Sequence, residues 1–321
     1  MTSRYEALRD RIQGPVYSVI TPFTADERID YETLERYLER VYAGGGRIFY
    51  VMAYNSRYSE LSWEEIKALN AFVVRTVKAF GDDVIAIVAD PLHCPTSVSM
   101  EFCRHAEAIG ADLISLIFRE KVYTNEQVLK HYQLCAGAAD IGILIHEMPF
   151  ISGLGGHTIN WPVELLDAVA DIENVIAIKE DAKEDDYSRE VIETLRDRLA
   201  IVISGGGKRQ WLRFAEQGCQ AWLNGIGVFE PRIPPIFWDA WKRGDQALIE
   251  KIITEVEEPF FAEIVGPFGW HLGIRGALEV RGLMPRFERM PMMPIPDADM
   301  PKVEATMARI EAALPAILGD A

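Results

Sequence analysis

Cysteine is scarce in this chain: Cys94, Cys103, Cys135 and Cys219 are the only four in 321 residues. They are scattered with no CxxC pair, which excludes a disulfide framework and a thiolate metal knuckle and reads as reduced packing thiols. Basic charge is scarce too. Lys and Arg total 33 against 49 Asp and Glu, for a formal net charge of −16, and such a surface repels nucleic acid. No apolar run reaches the length that spans a bilayer, and residues 1–14 are charged rather than signal-like. The expectation is a cytoplasmic protein with neither membrane nor nucleic acid as partner. There is no P-loop, no His-x-His or His-Glu-x-x-His pair, and no repeat beyond a β/α alternation.

What is present is a hydrophobic content of 49%, enough for a large core, distributed as short apolar runs alternating with amphipathic stretches. Strands are predicted at 16–20, 48–52, 84–89, 112–118, 141–145, 175–178, 200–203 and 221–223. Helices are predicted between them: from the Asp30 cap to Tyr42, from the Ser62-Trp63-Glu64-Glu65 capping box to Phe80, and from Thr96 or Ser97 to Ile109. Others run from Thr124 to Ala138, from Trp161-Pro162 to Ala170, over 184–198 and over 208–217. Eight alternations in about 230 residues are the count and length of a (β/α)8 TIM barrel. Residues 1–13 read as a helical lead-in. The division predicted is 1–243 for the barrel and 244–321 for a C-terminal helical region, with helices at 245–264, 270–282 and 299–317 around a Pro- and Met-rich linker.

The centre of the pattern is Val175-Ile176-Ala177-Ile178-Lys179-Glu180-Asp181, four apolar residues running into a lysine. Burial at the end of a central strand lowers an ammonium pKa and leaves an amine able to attack a carbonyl, although many strand-end lysines are merely solvated. In such barrels chemistry gathers at the C-terminal strand ends. Those ends carry Thr21, Ala53-Tyr54-Asn55-Ser56-Arg57, Asp90, Arg119-Glu120, His146-Glu147, Lys179-Glu180-Asp181, Ser204-Gly205-Gly206-Gly207 and Asn224 after Leu223. The ring is more polar than a sealed barrel end requires.

Several of these residues carry a family resemblance: Val19-Ile20-Thr21-Pro22-Phe23, Glu60-Leu61-Ser62-Trp63-Glu64-Glu65, Ile178-Lys179-Glu180, Ser204-Gly205, Gln217-Gly218, Arg275-Gly276-Ala277-Leu278 and Gly282-Leu283. With them the chain resembles, over nearly its whole length, the N-acetylneuraminate lyase and dihydrodipicolinate synthase family of Schiff-base aldolases and dehydratases. The resemblance implies a TIM barrel, an imine-forming Lys179, no cofactor or metal, and a homo-oligomer, dimer or tetramer. It departs from the family at four places. Ala53-Tyr54-Asn55-Ser56-Arg57 replaces the Gly-Thr-Thr-Gly-Glu turn that holds the substrate carboxylate. His146 stands where the family has its proton-relaying tyrosine, Arg119-Glu120 replaces paired tyrosines, and Ile151 stands near the place of an arginine. By analogy these departures favour sugar-acid-type substrates over aspartate semialdehyde.

The expected chemistry is a lyase reaction on a 2-keto acid, such as pyruvate or a 2-keto-3-deoxy sugar acid. Lys179 condenses with the keto group, and the protonated imine becomes an electron sink for loss of a proton or cleavage of a bond next to carbon 3. His146 titrates in the useful range, with Tyr54 and Glu147 as rivals, and a loop-fixing histidine as the alternative. Asn55, Ser56, Arg57, Arg119, Glu147, Gly205, Gly206 and Leu223 are the expected substrate contacts. For Arg57 and Arg119 a structural salt bridge is an equal reading. Ser204 to Lys208 suits close backbone approach of a substrate, with phosphate binding the weaker reading. Two other functions stay open: a non-catalytic 2-keto acid sensor, and a metal-dependent lyase using Asp90, His93, His146 and Glu147.

Overall fold

The computed structural model describes residues 3–118, 123–148, 160–204 and 207–319. Eight parallel strands close into a barrel in sequence order: β1 (Gly14–Ser18), β2 (Ile48–Tyr50), β3 (Ile85–Ala89), β4 (Leu113–Leu116), β5 (Gly142–Glu147), β6 (Val175–Glu180), β7 (Ala200–Ile203) and β8 (Ala221–Asn224). The expected (β/α)8 barrel is the observed fold. Helices α1 (Arg4–Arg11) to α8 (Gly207–Phe214) alternate with the strands, at α2 (Tyr31–Ala43), α3 (Trp63–Lys78), α4 (Thr96–Ala108), α5 (Asn125–Ala136), α6 (Val163–Ala170) and α7 (Asp185–Leu195). Three starts follow the sequence signals, while α4 begins at Thr96 after Pro95 with no side-chain cap in place of the expected Thr96 or Ser97 cap. Asp30 caps α2, and Ser62 with Glu65 forms a capping box on α3. Thr124 with Gln127 does the same on α5, each satisfying orphan N–H groups of a first turn.

β1, β2 and β4 stop two residues short of the expected ends, at Ser18, Tyr50 and Leu116, whereas two strands run two residues past theirs. β5 and β6 do not stop at Ile145 and Ile178 but run on through His146-Glu147 and Lys179-Glu180, which pair in register. The buried polar residues are tolerated because each is hydrogen-bonded, Lys179 to His146 and Asp181, Glu147 to the Trp161 N–H, and Glu180 to the Ala182 N–H and the Ser188 hydroxyl. The β5–β6 register also shifts once, Ile143 opposing Val175 and Leu144 opposing Ala177. Ile176 is the extra residue of this bulge, and it sets which side chains of β6 accompany those of β5.

Packing groups the described residues into two compact units, one made of 1–16 with 48–223 and the other of 17–47 with 224–321. In the first, Val16, Ile48, Tyr50, Ile85, Ile87, Leu113, Leu144, Ala177, Val202 and Ala221 form one buried cluster, against which Tyr5, Leu8, Tyr54 and Leu223 pack. In the second, Arg275 on the helix Trp270–Val280 is buried, pairs with Glu288 at 2.8 Å and donates to the Thr21 carbonyl. The buried Glu230 carboxylate takes Arg232 at 2.7 Å and Arg281 at 3.1 Å.

The expected single helix over 245–264 is instead α10 (Gln246–Ile252) followed by π turns at Ile253–Glu257 and Phe260–Val265. Pro259 has no N–H for an i→i−4 bond, and the wider turns flank it. Helix α9 (Ile233–Arg243) is not among the predicted helices; Pro234 and Pro235 occupy its first turn, where the missing N–H costs nothing. Among the described residues no helix is long and apolar enough to cross a membrane.

Candidate active site

Lys179 and His146 are register partners on β6 and β5. Both are about 1% exposed, and they stand two residues on from Ala177 and Leu144 of the interior cluster. A period of two therefore aims both side chains into the barrel at the C-terminal strand ends. Lys179 Nζ lies 3.1 Å from His146 Nε2. It also donates to Asp181 Oδ2, which is 3.6 Å from the same imidazole nitrogen. Asp181 is two residues beyond Lys179 and shares its face.

The contacts continue across the barrel. His146 Nδ1 is 3.4 Å from Tyr50 Oη on β2, and Tyr50 Oη is 2.5 Å from Ser115 Oγ on β4. An ammonium has only donors, so Nε2 accepts from Lys179. A neutral His146 then carries its proton on Nδ1, towards Tyr50, which donates on to Ser115. The buried line Ser115–Tyr50–His146–Lys179–Asp181 thus has donor and acceptor roles that agree along its length.

Burial lowers the Lys179 pKa from the ordinary ammonium range, against the opposing pull of Asp181 and then Glu180. Full burial of a lysine is worth up to about 3–5 pK units and a carboxylate neighbour about 1–3, so desolvation wins. Burial pushes Asp181 upward, but the Lys179 charge beside it outweighs this and holds the carboxyl well below the usual range. Tyr50 is raised, chiefly by burial, and stays a neutral hydroxyl.

Glu147 and Glu180 are also register partners, on the opposite face of the same strands. Glu147 accepts the Trp161 N–H at 3.1 Å. Glu180 accepts the Ala182 N–H at 2.6 Å and the Ser188 hydroxyl at 2.7 Å. Glu147 therefore looks away from Lys179 into the layer that holds α6 and α7, because it is one residue from His146 on a strand.

The turn after β2 is buried and anchored. Ser56 N–H donates to the Met52 carbonyl at 2.8 Å, so this amide is engaged within the turn. Asn55 and Ser56 are 2% and 0% exposed. Tyr58 donates to Asn70, whose amide holds the Ala89 carbonyl at 3.2 Å. Arg57 has a left-handed backbone, φ 60°, and is paired with Glu60. Tyr54 and Leu223 pack against the barrel interior. Arg119, Gly205 and Gly206 lie outside the described residues, as does Ile151.

A cavity of about 500 Å3 opens beside β3 and β4, lined by Asp90, His93, Cys94, Ser99, Tyr123 and His131 among others. Asp90 is fixed by the Ser99 hydroxyl at 2.6 Å and the Ile117 N–H at 3.3 Å, and burial raises its pKa to about 7. Among the described residues no three of His, Cys, Asp and Glu gather as metal ligands. Asp90 and His93 line this cavity, whereas His146 faces Lys179 and Glu147 faces α6.

Sequence reasoning named Lys179 and His146 but gave no role to Tyr50, Ser115 or Asp181. The period of two was the available signal. Tyr50 follows Ile48, Ser115 follows Leu113, and Asp181 follows Lys179, each on the face of its predecessor.

The closed eightfold barrel, with a buried lysine at the end of a strand and a histidine and a carboxylate against it, defines the class as a (β/α)8 barrel protein. The profile of the Dihydrodipicolinate synthetase family matches residues 11–310, and the chain belongs to that family, which places it among the lyases. It is 25% identical over 305 residues to the 4-hydroxy-tetrahydrodipicolinate synthase of Methanosarcina mazei, covering 93% of this chain and 98% of that one. Among solved structures it is similar to the Ruminococcus gnavus sialic acid aldolase, with TM-score 0.84 and 18% identity over 96% of this chain and 100% of the other. It is also similar to a prophage protein of the dihydrodipicolinic acid synthase family from E. coli K12 in complex with pyruvate. There the TM-score is 0.81 and the identity 18% over 93% and 98% of the two chains. At these identities the structural likenesses establish the fold.

Proposed function

We propose that the chain is a Schiff-base-forming lyase that acts on a 2-keto acid through Lys179. The observation that carries this reading is the Lys179 amine, buried at the C-terminal end of β6 with His146 Nε2 at 3.1 Å. A surface lysine would be held as a hydrated ammonium. Here desolvation lowers the lysine pKa and so eases access to the amine, the form that adds to a keto carbon. The resulting protonated imine draws electrons from carbon 3, so that a proton leaves carbon 3 or the bond between carbons 3 and 4 breaks. His146, already in contact with Nζ, is placed to move the proton that either route requires, and Tyr54 is the proposed second proton-transfer group. Asn55, Ser56, Leu223, Arg119, Gly205 and Gly206 form the proposed substrate contacts in a cytoplasmic homo-oligomer. The polar turn after β2 favours a keto acid with a hydroxylated tail.

The test is borohydride trapping with pyruvate and with a 2-keto-3-deoxy sugar acid, read by intact mass and peptide mapping. An adduct on Lys179 is expected, with the sugar acid trapped at lower concentration. A folded protein that gives no adduct with either ligand would replace this reading with keto acid sensing.

A further inference from the structure

We propose that Asp181 is a catalytic residue, the group that stores and returns the proton of Lys179 during imine formation. The inference rests on the reading of Lys179 as the imine-forming lysine. The geometry is that of a short buried triangle. Asp181 Oδ2 accepts from Lys179 Nζ and lies 3.6 Å from His146 Nε2, while Nζ and Nε2 are 3.1 Å apart. Asp181 is 3% exposed, so no bulk water competes with it for the proton.

The proton balance calls for such a group. Lys179 rests as an ammonium paired with the carboxylate and must become an amine to react. Asp181 takes one proton. The nitrogen lone pair then forms the C–N bond to the keto carbon, and the C=O π pair moves to oxygen. A second proton passes from nitrogen to that oxygen, through His146 or directly, giving the carbinolamine. The stored proton returns from Asp181 to the hydroxyl, the C–O bond breaks, and water leaves. Ammonium and ketone have become iminium and water with no net gain or loss of protons. Asp181 is again an anion, now beside the iminium cation.

The groups that bear on this pair are His146 from β5, Tyr50 from β2 and Glu180 on the same strand, with Asp90, one residue past β3, acting on Tyr50. Tyr50 is a neutral hydroxyl bonded to Ser115. The field of Asp181 reaches Tyr50 together with that of Asp90. Glu180 is turned to the opposite face and held by Ser188 and Ala182. Asp181 is the one carboxylate among them bonded to Nζ.

The experiment is the rate of cyanoborohydride-trapped pyruvate adduct on Lys179 as a function of pH, in the unmodified protein, Asp181→Asn, Asp181→Ala and Asp181→Glu. Removing the anion leaves burial unopposed, so the midpoint of the profile in Asp181→Asn moves to lower pH by about one unit or more. The rate on the plateau falls by about a hundredfold or more, because the proton store is gone. Asp181→Glu keeps the original midpoint. A residue with only a structural role would reduce the final extent of trapping and leave the midpoint and plateau rate in place, and that result overturns the proposal. Asp181→Ala is judged by the same two readouts if the asparagine variant fails to fold. Absence of any adduct in the unmodified protein would overturn the Schiff-base reading itself. An adduct there, with unchanged profiles in the variants, overturns only the role of Asp181.

Discussion

His146 Nε2 and Lys179 Nζ are held 3.1 Å apart by strand register, their Cα atoms being direct partners in the β5–β6 ladder. The approach is a property of the barrel, because it is built from two regular strands whose relative phase is set by the bulge at Ile176. Replacing His146 by Gln should therefore leave the lysine in place and the pyruvate adduct trappable. Turnover of the true substrate should fall by about 10²–10⁴, the usual worth of a positioned proton-transfer group. Loss of the adduct together with turnover would show that His146 serves imine formation rather than the carbon chemistry.

Tyr50 and Ser115 act on the same imidazole from the other side. Tyr50→Phe removes the acceptor towards which Nδ1–H points and the donor to Ser115 Oγ at 2.5 Å. The expected cost is about 1 kcal/mol of stability, one net buried hydrogen bond. The expected loss of kcat is about fivefold to tenfold, the kinetic equivalent of that energy. KM should be unchanged. A change in KM alone would place Tyr50 against substrate instead.

The Lys179–Asp181 pair is buried on both sides, with side-chain exposures of 1% and 4%. Removing one charge from such a pair costs about 3–5 kcal/mol, because the partner is left charged in an apolar surround, whereas removing both is far milder. Lys179→Met should therefore destabilise the protein in denaturant titrations by about that amount. Lys179→Met with Asp181→Asn should recover most of it. Additive losses in the double variant would rule out direct pairing.

Arg57 and Glu60 pose the same question away from the lysine. Their side chains are 8% and 5% exposed, and Arg57 occupies the left-handed region that non-glycine residues seldom adopt. Arg57→Ala should cost about 3–5 kcal/mol with little change in KM for a keto acid. A rise in KM at unchanged stability would return Arg57 to the substrate-carboxylate role.

The alternation of apolar runs and capped helices made the barrel legible, and Lys179 was legible as a charge ending the most apolar run. The line of groups around it was not. The sequence reading ended β5 and β6 where their apolar residues ended, at Ile145 and Ile178. A residue placed in a loop carries no face, so Glu147 could be grouped with His146 and Asp181 could go unassigned. In the structure the ladder continues, and the period of two separates His146 and Lys179 from Glu147 and Glu180. Cross-barrel neighbours such as Tyr50 and Ser115 depend on closure of the sheet, which brings together residues 65 positions apart. No local pattern encodes that.

The outward carboxyls leave a mark on the pH dependence of stability. Burial raises the Glu180 pKa to about 8, against the hydrogen bonds from Ser188 and Ala182. The unfolded chain titrates near the ordinary value of 4.5. Between these two values the native state binds the proton and the unfolded state has lost it, so stability falls as pH rises from about 4.5 to about 8 and levels off above. The loss is on the order of 4 kcal/mol across that window. Asp90, raised by burial to about 7, adds a loss of the same sign over a lower range. Asp181 has the opposite sign, since its folded pKa is depressed, and it withdraws stability only as pH falls below the ordinary carboxylate value of 3.8. Glu180→Gln isolates the first effect. The amide oxygen accepts the Ala182 N–H and the amide nitrogen donates to Ser188 Oγ, reproducing the protonated acid. The variant should match the unmodified protein near pH 5 and melt at a higher temperature at pH 8, with a flatter profile of Tm against pH. A variant less stable than the parent at pH 8 would mean that Glu180 is an anion in the folded protein, neutralised by a cation near β6.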